Sequence, residues 1–269
     1  MENKDFENGT RAQAEELVCV LASMYPALIR KSDEVKTQFI PALFRCLTEV
    51  ELPDDDEQEE WFNKVEEDDT SKSDIHTISK LNVGRFAAAV GEKTILATSN
   101  ELIKEAITND NWRVRVAGYC FLGYLSEACK DAFKSNLDEI MRMAASGVVD
   151  SHPRVQYAGI ACLGLMLSEQ APDAQKKFHA DILPQLISIM RDTPSHKIKS
   201  QATSATINFV WELIIVDKDN FEEIKWEDSV MESYTDLLLE TCATNLQLSL
   251  TTNYITLQEE TLALLSCIA

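Results

Sequence analysis

The chain has 269 residues, of which 45% are hydrophobic, and its 45 acidic and 25 basic side chains give a formal charge of −20. This excess of carboxylates disfavours binding to a nucleic-acid backbone, which needs clustered lysine and arginine, and it favours basic protein segments as partners. Only eight glycines and seven prolines are available for the turns of a sheet, which indicates an all-helical fold.

The cysteines and the N-terminal segment indicate where the protein resides. The seven cysteines form no CxxC pair and fall mostly on apolar helix faces, which predicts reduced thiols in a cytosolic or nuclear protein. The first residues, MENKDFENG, lack the apolar segment of a signal peptide, and no apolar run approaches the roughly 18 residues of a membrane span. We therefore expect no membrane association.

Helical periodicity begins at once. A first pair of helices is predicted over 10–30 and 33–49, with Pro26 bending or ending the first helix and Pro41 inside the second. The pattern FIPALFRCL around Pro41 recurs as ILPQLISIM at 182–190, which suggests that second helices share a curvature.

Residues 51–74 interrupt this periodicity. Their sequence, ELPDDDEQEEWFNKVEEDDTSKSD, is dense in carboxylates and almost without aliphatic residues, so it predicts an exposed acidic loop between the first and second helix pairs. Trp61 and Phe62 in its middle must either dock back on the helices or contact a partner. The candidate contact residues of the loop are Asp54, Asp55, Asp56, Glu57, Glu59, Glu60 and Trp61.

An internal repeat then sets the architecture. NDNWRVRVAGYCFLGYLSEA at 109–128 lies over DSHPRVQYAGIACLGLMLSE at 150–169 with an offset of 41 residues. This period, with two helices in each unit, is typical of HEAT or armadillo repeats. The helices predicted from this register and from periodicity span 74–90, 94–107, 112–129, 133–149, 153–169, 173–191, 196–211, 229–246 and 251–269.

The predicted fold is therefore all-α: a right-handed α-α superhelix, a HEAT-repeat solenoid of about six helix pairs that occupies 1–269 as a single segment. Glycines at 118, 123, 159 and 164 each cost a helix roughly 1 kcal/mol relative to alanine, which indicates close packing between neighbouring helices. The last segment lacks the polar face of a capping repeat, so we expect a piece of a longer array.

Motifs for chemistry are missing from the sequence. The four histidines have no metal-type spacing, and HExxH, GxGxxG, the P-loop and GxSxG do not occur. We predict no catalytic residue, no metal site and no cofactor.

Acids on the second helices are the candidate binding residues, because these helices line the concave side of a HEAT stack. Their recurrence from repeat to repeat predicts a ladder that holds a Lys/Arg-rich segment, and an ordinary polar face is the alternative. A further pair, Asp236 and Glu240, is a weaker candidate. The predicted residues are Glu101, Glu105, Asp138, Glu139, Asp181 and Gln185.

The repeat sequences resemble consecutive HEAT repeats from the middle of importin-beta superfamily receptors, and they are most similar to the importin-beta-3 (importin five) group. The A-P-x-x-Q-K-K-F-H turn of that group is matched by APDAQKKFH at 171–179. The acidic stretch with Trp61 is similar to the acidic loop that such receptors carry upstream of a D-W-R/K-x-R repeat. Trp211 departs from the pattern, which has a small or hydroxylated residue there.

The resemblance implies a nuclear transport receptor that shuttles between cytoplasm and nucleus. It implies basic cargo signals on the inner helices, release of cargo by Ran-GTP in the full-length receptor, and Phe-Gly nucleoporins on the outer helices. A structural scaffold, such as a phosphatase-type HEAT subunit or an assembly chaperone, is the alternative, in which the acids confer only solubility. An enzyme is less favoured than either.

Overall fold

The computed structural model describes residues 1–50, 61–62, 74–214 and 230–268. Every regular element within these ranges is helical, so the predicted all-α class is confirmed. The elements are α1 (Asn8–Met24), α2 (Pro26–Ile29), a π-helical turn (Val35–Phe39), α3 (Ile40–Leu47), α4 (Ile75–Val90), α5 (Glu92–Ile107), α6 (Trp112–Tyr124), α7 (Lys130–Ser135), α8 (Leu137–Val148), α9 (Pro153–Glu169), α10 (Asp173–Asp192), α11 (His196–Ile214), a 3-10 turn (Val230–Ser233), α12 (Thr235–Thr252) and α13 (Ile255–Ile268).

The chain divides into two compact units, which we call unit 1 (1–52 and 69–162) and unit 2 (53–68 and 163–269). In unit 1, α1 packs against α4, and α5 packs against α6. In unit 2, α11 packs against both α10 and α13, and α12 packs against α13. In each unit, helices pack both on the next helix of the chain and on helices further along it. A single solenoid over the whole chain stays a prediction.

Several predicted helix boundaries are wrong for local reasons. The break predicted at Pro26 is observed, since α1 ends at Met24 and the short helix α2 follows, because Pro26 has no amide hydrogen to continue the ladder. The helix predicted over 133–149 divides at Asn136, whose side chain donates to the Ala132 carbonyl at 3.0 Å in place of a regular turn. The helix predicted from 229 starts later and runs to Thr252, where Asn253 ends it in the left-handed conformation with φ of 56°.

The two prolines of the recurring pattern have different surroundings. Pro41 lies in the first turn of α3, directly after the π-helical turn, whereas Pro184 lies inside the continuous helix α10. A proline in the first turn costs little because its nitrogen has no helical partner there, but one inside a helix removes a hydrogen bond. Residues 33–39 directly before α3 are also helical, so Pro41, like Pro184, lies within a helical run. A shared curvature of the two helices stays a prediction.

One side-chain position has the same role at the start of three first helices. It is the third residue of Arg-Val-Arg, Arg-Val-Gln and Lys-Ile-Lys, that is, Arg115, Gln156 and Lys199. These side chains donate to backbone carbonyls at or just beyond the ends of α5, α8 and α10, at 2.9, 3.1 and 2.7 Å. The last carbonyls of a helix have no partner within it, so α8 and α10 are completed by the first helix that follows, while Arg115 holds the turn that follows α5.

Glycines allow the helices to approach closely, as predicted. A Cβ atom on Gly159 of α9 would lie 2.3 Å from the carbonyl carbon of Gly147 in α8. On Gly118 it would lie 3.0 Å from the Ala106 side chain. On Gly164 it would lie 3.3 Å from the backbone of Ala205. The crossing of α8 and α9 thus depends on two glycines, of which the repeat pattern singled out only one.

We expect Gly159→Ala to destabilise the protein by about 1–3 kcal/mol, because the added methyl group meets backbone atoms that cannot rotate away. Urea denaturation followed by circular dichroism measures the change. Gly9→Ala is the control, because a Cβ atom there meets nothing within 4 Å, and we expect it to be neutral or to stabilise by up to about 1 kcal/mol. Equal stability of Gly159→Ala and the unmodified chain would contradict the packing argument.

A carboxyl group is buried between α1 and α4. Glu15 is fully buried and accepts hydrogen bonds from the Ser79 hydroxyl at 2.9 Å and from the Asn82 amide at 3.1 Å. Burial raises the pKa of Glu15 above its ordinary value, and the hydrogen bonds from Asn82 and Ser79 only partly oppose the rise. Above about pH 4.5 the unfolded chain releases this proton while the folded protein keeps it, so stability falls as pH rises through that window.

We expect Glu15→Gln to remove this pH dependence. The difference in free energy of unfolding between this variant and the unmodified chain should grow in favour of the variant as the pH rises. The growth should be about 1.4 kcal/mol for each pH unit in which Glu15 is protonated in the folded protein and ionised in the unfolded chain. Urea denaturation at several pH values from 5 to 8 measures the difference. The control is Glu16→Gln, since Arg85 lowers the pKa of Glu16 and its titration lies below this range. Parallel curves for Glu15→Gln and the unmodified chain would refute the assignment.

Candidate protein-binding surface

The predicted acids of unit 1 are exposed and lie on two second helices that meet. Glu101 and Glu105 lie on α5, and Asp138 and Glu139 lie in the first turn of α8. The two helices are joined by an ion pair of 2.9 Å between Lys104 Nζ and a carboxylate oxygen of Glu139. The structure therefore brings the acids of successive repeats to one surface.

An open cleft lies beside this ion pair. It has an apolar floor and a polar rim formed by Lys104, Glu139, Asn100 and Asn136. A long side chain entering the cleft could place its aliphatic stem on the floor and its polar head at the rim. The apolar lining side chains are Leu96, Ile103, Leu122, Ala132, Phe133, Ile140 and Met143.

Cations of the chain itself partly neutralise this surface. The hydrogen bond from Lys104 lowers the pKa of Glu139, and the charge of Arg142 contributes in the same direction. Glu139 in turn raises the pKa of Lys104, with a smaller contribution from Glu101. Sequence reasoning counted only the acids. The spacing of Lys104 three residues after Glu101, and of Arg142 four residues after Asp138, would have identified both cations.

In unit 2 the predicted residues lie on α10. Asp181 and Gln185 are exposed on one face, which continues through Ser188 to Asp192 at helical spacing. Asp192 accepts hydrogen bonds from the Ser188 hydroxyl at 3.1 Å and from the neighbouring Arg191 at 2.8 Å. Arg191 lowers the pKa of Asp192, so this carboxylate is also paired within the chain.

The weaker candidates, Asp236 and Glu240, are exposed on α12. The charge of Glu240 helps to raise the pKa of Arg191, after the larger effects of Asp192. Acids on both α10 and α12 therefore stabilise the charged form of Arg191.

Most of the predicted acidic loop lies outside the described residues, and this includes Asp54, Asp55, Asp56, Glu57, Glu59 and Glu60. Trp61 and Phe62 are described, and they contact the start of α11. Lys197 Nζ lies 5.2 Å from the centroid of the Trp61 ring, and the Ser195 hydroxyl donates to the Phe62 carbonyl at 3.0 Å. Of the two alternatives for this aromatic pair, the structure shows that it docks back on the helices.

The cysteines belong to the core. Six of the seven are buried, in agreement with their apolar-face pattern, and burial raises the pKa of Cys19, Cys46 and Cys129 to about 12. In the described part of the chain, no group of three or more His, Cys, Asp or Glu side chains could hold a metal ion. Among the helices of those same residues, none combines the length and apolar character needed to cross a membrane.

Helix pairs with a 41-residue period, closed by repeated side-chain caps and close glycine contacts, define a HEAT-repeat protein. Comparison with known proteins agrees. A family model described as Importin repeat matches residues 3–97. Importin subunit beta-3 of Saccharomyces cerevisiae is 29% identical over 271 residues, which cover 100% of this chain and 23% of that protein.

Solved structures of Kap121p give the same result. The chain superposes on Kap121p with a TM-score of 0.83 and 27% identity, which covers 99% of this chain and 24% of that one. For Kap121p bound to Pho4p the TM-score is 0.84 at 26% identity, with the same coverage of both chains. For Kap121p bound to RanGTP the TM-score is 0.81 at 27% identity, covering 98% and 24%.

By these matches the chain is similar to a HEAT-repeat segment of importin-beta superfamily receptors. The resemblance noted from the sequence is thereby confirmed. The chain spans about a quarter of the length of the relatives that it matches.

Proposed function

We propose that this chain is a protein-binding segment of an importin-beta-type nuclear transport receptor and that it holds basic cargo segments on the exposed faces of its second helices. The observation that carries the proposal is the cleft beside Lys104 and Glu139, which has an apolar floor and lies on two helices that also carry the exposed acids Glu101, Glu105 and Asp138. Lysine and arginine side chains have a matching division into apolar stem and cationic head.

The two parts of a cargo lysine side chain would make different contacts with this surface. The aliphatic stem of a cargo lysine would cover the apolar floor, and its ammonium group would pair with Glu139 at the rim or with the exposed acids Glu101, Glu105 and Asp138 of the same two helices. Exposed ion pairs of this kind contribute little each and are screened by salt, so affinity would depend on several of them acting together. The exposed face of α10, with Asp181 and Gln185, would supply further contacts of the same kind.

Lys104 would compete with the cargo. It already pairs with Glu139, so an incoming ammonium group must either displace it or use the remaining acids. Because of this competition, a cargo segment with few lysine or arginine residues would bind weakly, and only a strongly basic segment would bind well.

The relatives support the transport role. Kap121p has been solved with Pho4p, with Nup53p and with RanGTP. A further solved variant of Kap121p has two aspartates and one glutamate replaced by lysine, at intervals of 43 and 42 residues. Asp138 and Asp181 of this chain are likewise 43 residues apart.

By this similarity we propose that the full receptor shuttles between cytoplasm and nucleus, releases cargo on binding Ran-GTP, and contacts Phe-Gly nucleoporins. No catalytic activity, cofactor or nucleic-acid partner enters this proposal.

Two opposite substitutions test the cargo surface. We expect Glu139→Gln to weaken binding of a lysine-rich peptide by roughly two- to fivefold, since it removes an acid and frees Lys104 to repel the peptide. We expect Lys104→Gln to strengthen binding by a similar factor, since it frees Glu139. Fluorescence anisotropy with a labelled peptide at low and moderate salt measures both changes.

The matched control is Glu127→Gln, an exposed acid that lies beyond α6 and does not line the cleft. It should change the peptide affinity only by the small amount expected from removing one negative charge outside the cleft. If both cleft variants bind like the unmodified chain, with an unchanged salt dependence, the cargo surface is refuted. If they respond as expected but RanGTP fails to release cargo from the full-length receptor, the scaffold alternative is favoured.

A further inference from the structure

The start of α11 is already occupied by another part of the same chain. Ser195 is fully buried and directly precedes α11, where its hydroxyl oxygen accepts from the Ile198 amide at 3.5 Å. The same hydroxyl group donates to the carbonyl oxygen of Phe62 at 3.0 Å. One side chain thus caps the helix and holds a main-chain group that is distant in sequence.

A buried ammonium group forms the second half of this contact. Lys197 is only 6% exposed, and its Nζ lies 5.2 Å from the centroid of the Trp61 ring. Removing an ammonium group from water is costly, and the face of an indole ring is the aromatic surface that best offsets this cost. Trp61 and Phe62 are themselves half-buried at this position.

The contact has the features of peptide recognition. It uses one aromatic side chain for affinity and one main-chain carbonyl for register, and these belong to the adjacent residues Trp61 and Phe62. Seven residues precede Trp61 in the sequence DDDEQEE, of which six are acidic, so the segment also carries charge opposite to that of Lys197.

We propose that Ser195 and Lys197 form a binding site for a short acidic segment that contains a tryptophan, and that Trp61 and Phe62 occupy this site as an intramolecular ligand. Because the segment is tethered, its effective concentration at the site is of the order of millimolar. A partner protein with a similar acidic and aromatic segment therefore binds only when it displaces Trp61. This site uses other residues than the proposed cargo surface and takes a partner of the opposite charge.

The test supplies the segment as a free peptide. A labelled peptide of residues 54–64, DDDEQEEWFNK, is titrated into the full chain and into the variant Trp61→Ala/Phe62→Ala, in which the site is vacated. We expect the vacated variant to bind the peptide about tenfold more tightly than the unmodified chain, and Lys197→Met added to that variant to abolish the gain.

Three controls define the chemistry, one on the chain and two on the peptide. Lys176 is an exposed lysine on α10, and Lys176→Met is added to the vacated variant as a control. It should change the peptide affinity only by the small amount expected from the loss of one positive charge. A peptide with alanine in place of tryptophan should bind weakly to every variant, and one with glutamines in place of Glu59 and Glu60 should bind less tightly and with a weaker salt dependence. If the vacated variant binds no more tightly than the unmodified chain, the site is refuted.

A second measurement guards against loss of folding in the Lys197 variant. In a chain whose other three tryptophans are replaced by phenylalanine, acrylamide quenching reports the exposure of Trp61 alone. We expect Lys197→Met and Ser195→Ala each to increase quenching while the helical circular dichroism is retained. Unchanged quenching in both variants would overturn the proposal whether or not a peptide binds.

Discussion

The last carbonyl oxygens of a helix have no hydrogen-bond partners within that helix. In this chain, side chains of the repeat that follows donate hydrogen bonds at these helix ends. Arg115, Gln156 and Lys199 occupy one position of the repeat and donate to the ends of three successive second helices. The three side chains differ in charge and length, yet each carries a nitrogen donor on a flexible stem. The repeat therefore preserves the hydrogen bond and not the residue.

This capping has consequences for the exposed surface. Once the end of a second helix is fixed by the next first helix, its rotation about its own axis is also limited, because the glycine contacts allow no free space on the buried side. The opposite side of each second helix is then exposed. Glu101 on α5 and Asp138 on α8 lie on these exposed sides, and the cleft lies between the two helices.

Charge on this surface is more balanced than the net charge of −20 suggests. Lys104 and Arg142 lie among the acids of unit 1, and Arg191 lies among those of unit 2. Surface ion pairs of this kind contribute little to stability, but they keep a dense row of carboxylates from repelling one another. A cation that approaches from outside meets carboxylates already partly paired, so binding of basic segments as proposed would favour strongly basic ones.

The sequence by itself determined the class of fold, the repeat period and most of the helix positions. These depend on local properties: the spacing of apolar residues, proline at a helix start, and glycine where side chains cannot fit. It also identified the exposed acids of α5, α8 and α10, since exposure follows from the same periodicity.

Only the tertiary structure decided which of these groups meet. The pairing of Lys104 with Glu139, the contact between Gly147 and Gly159, and the docking of Trp61 on Lys197 join residues from different helices. Periodicity places each residue on a face of its own helix, but it contains no information about the neighbour that this face contacts. That choice depends on the angle and the separation at which the helices pack, which arise from many side chains at once.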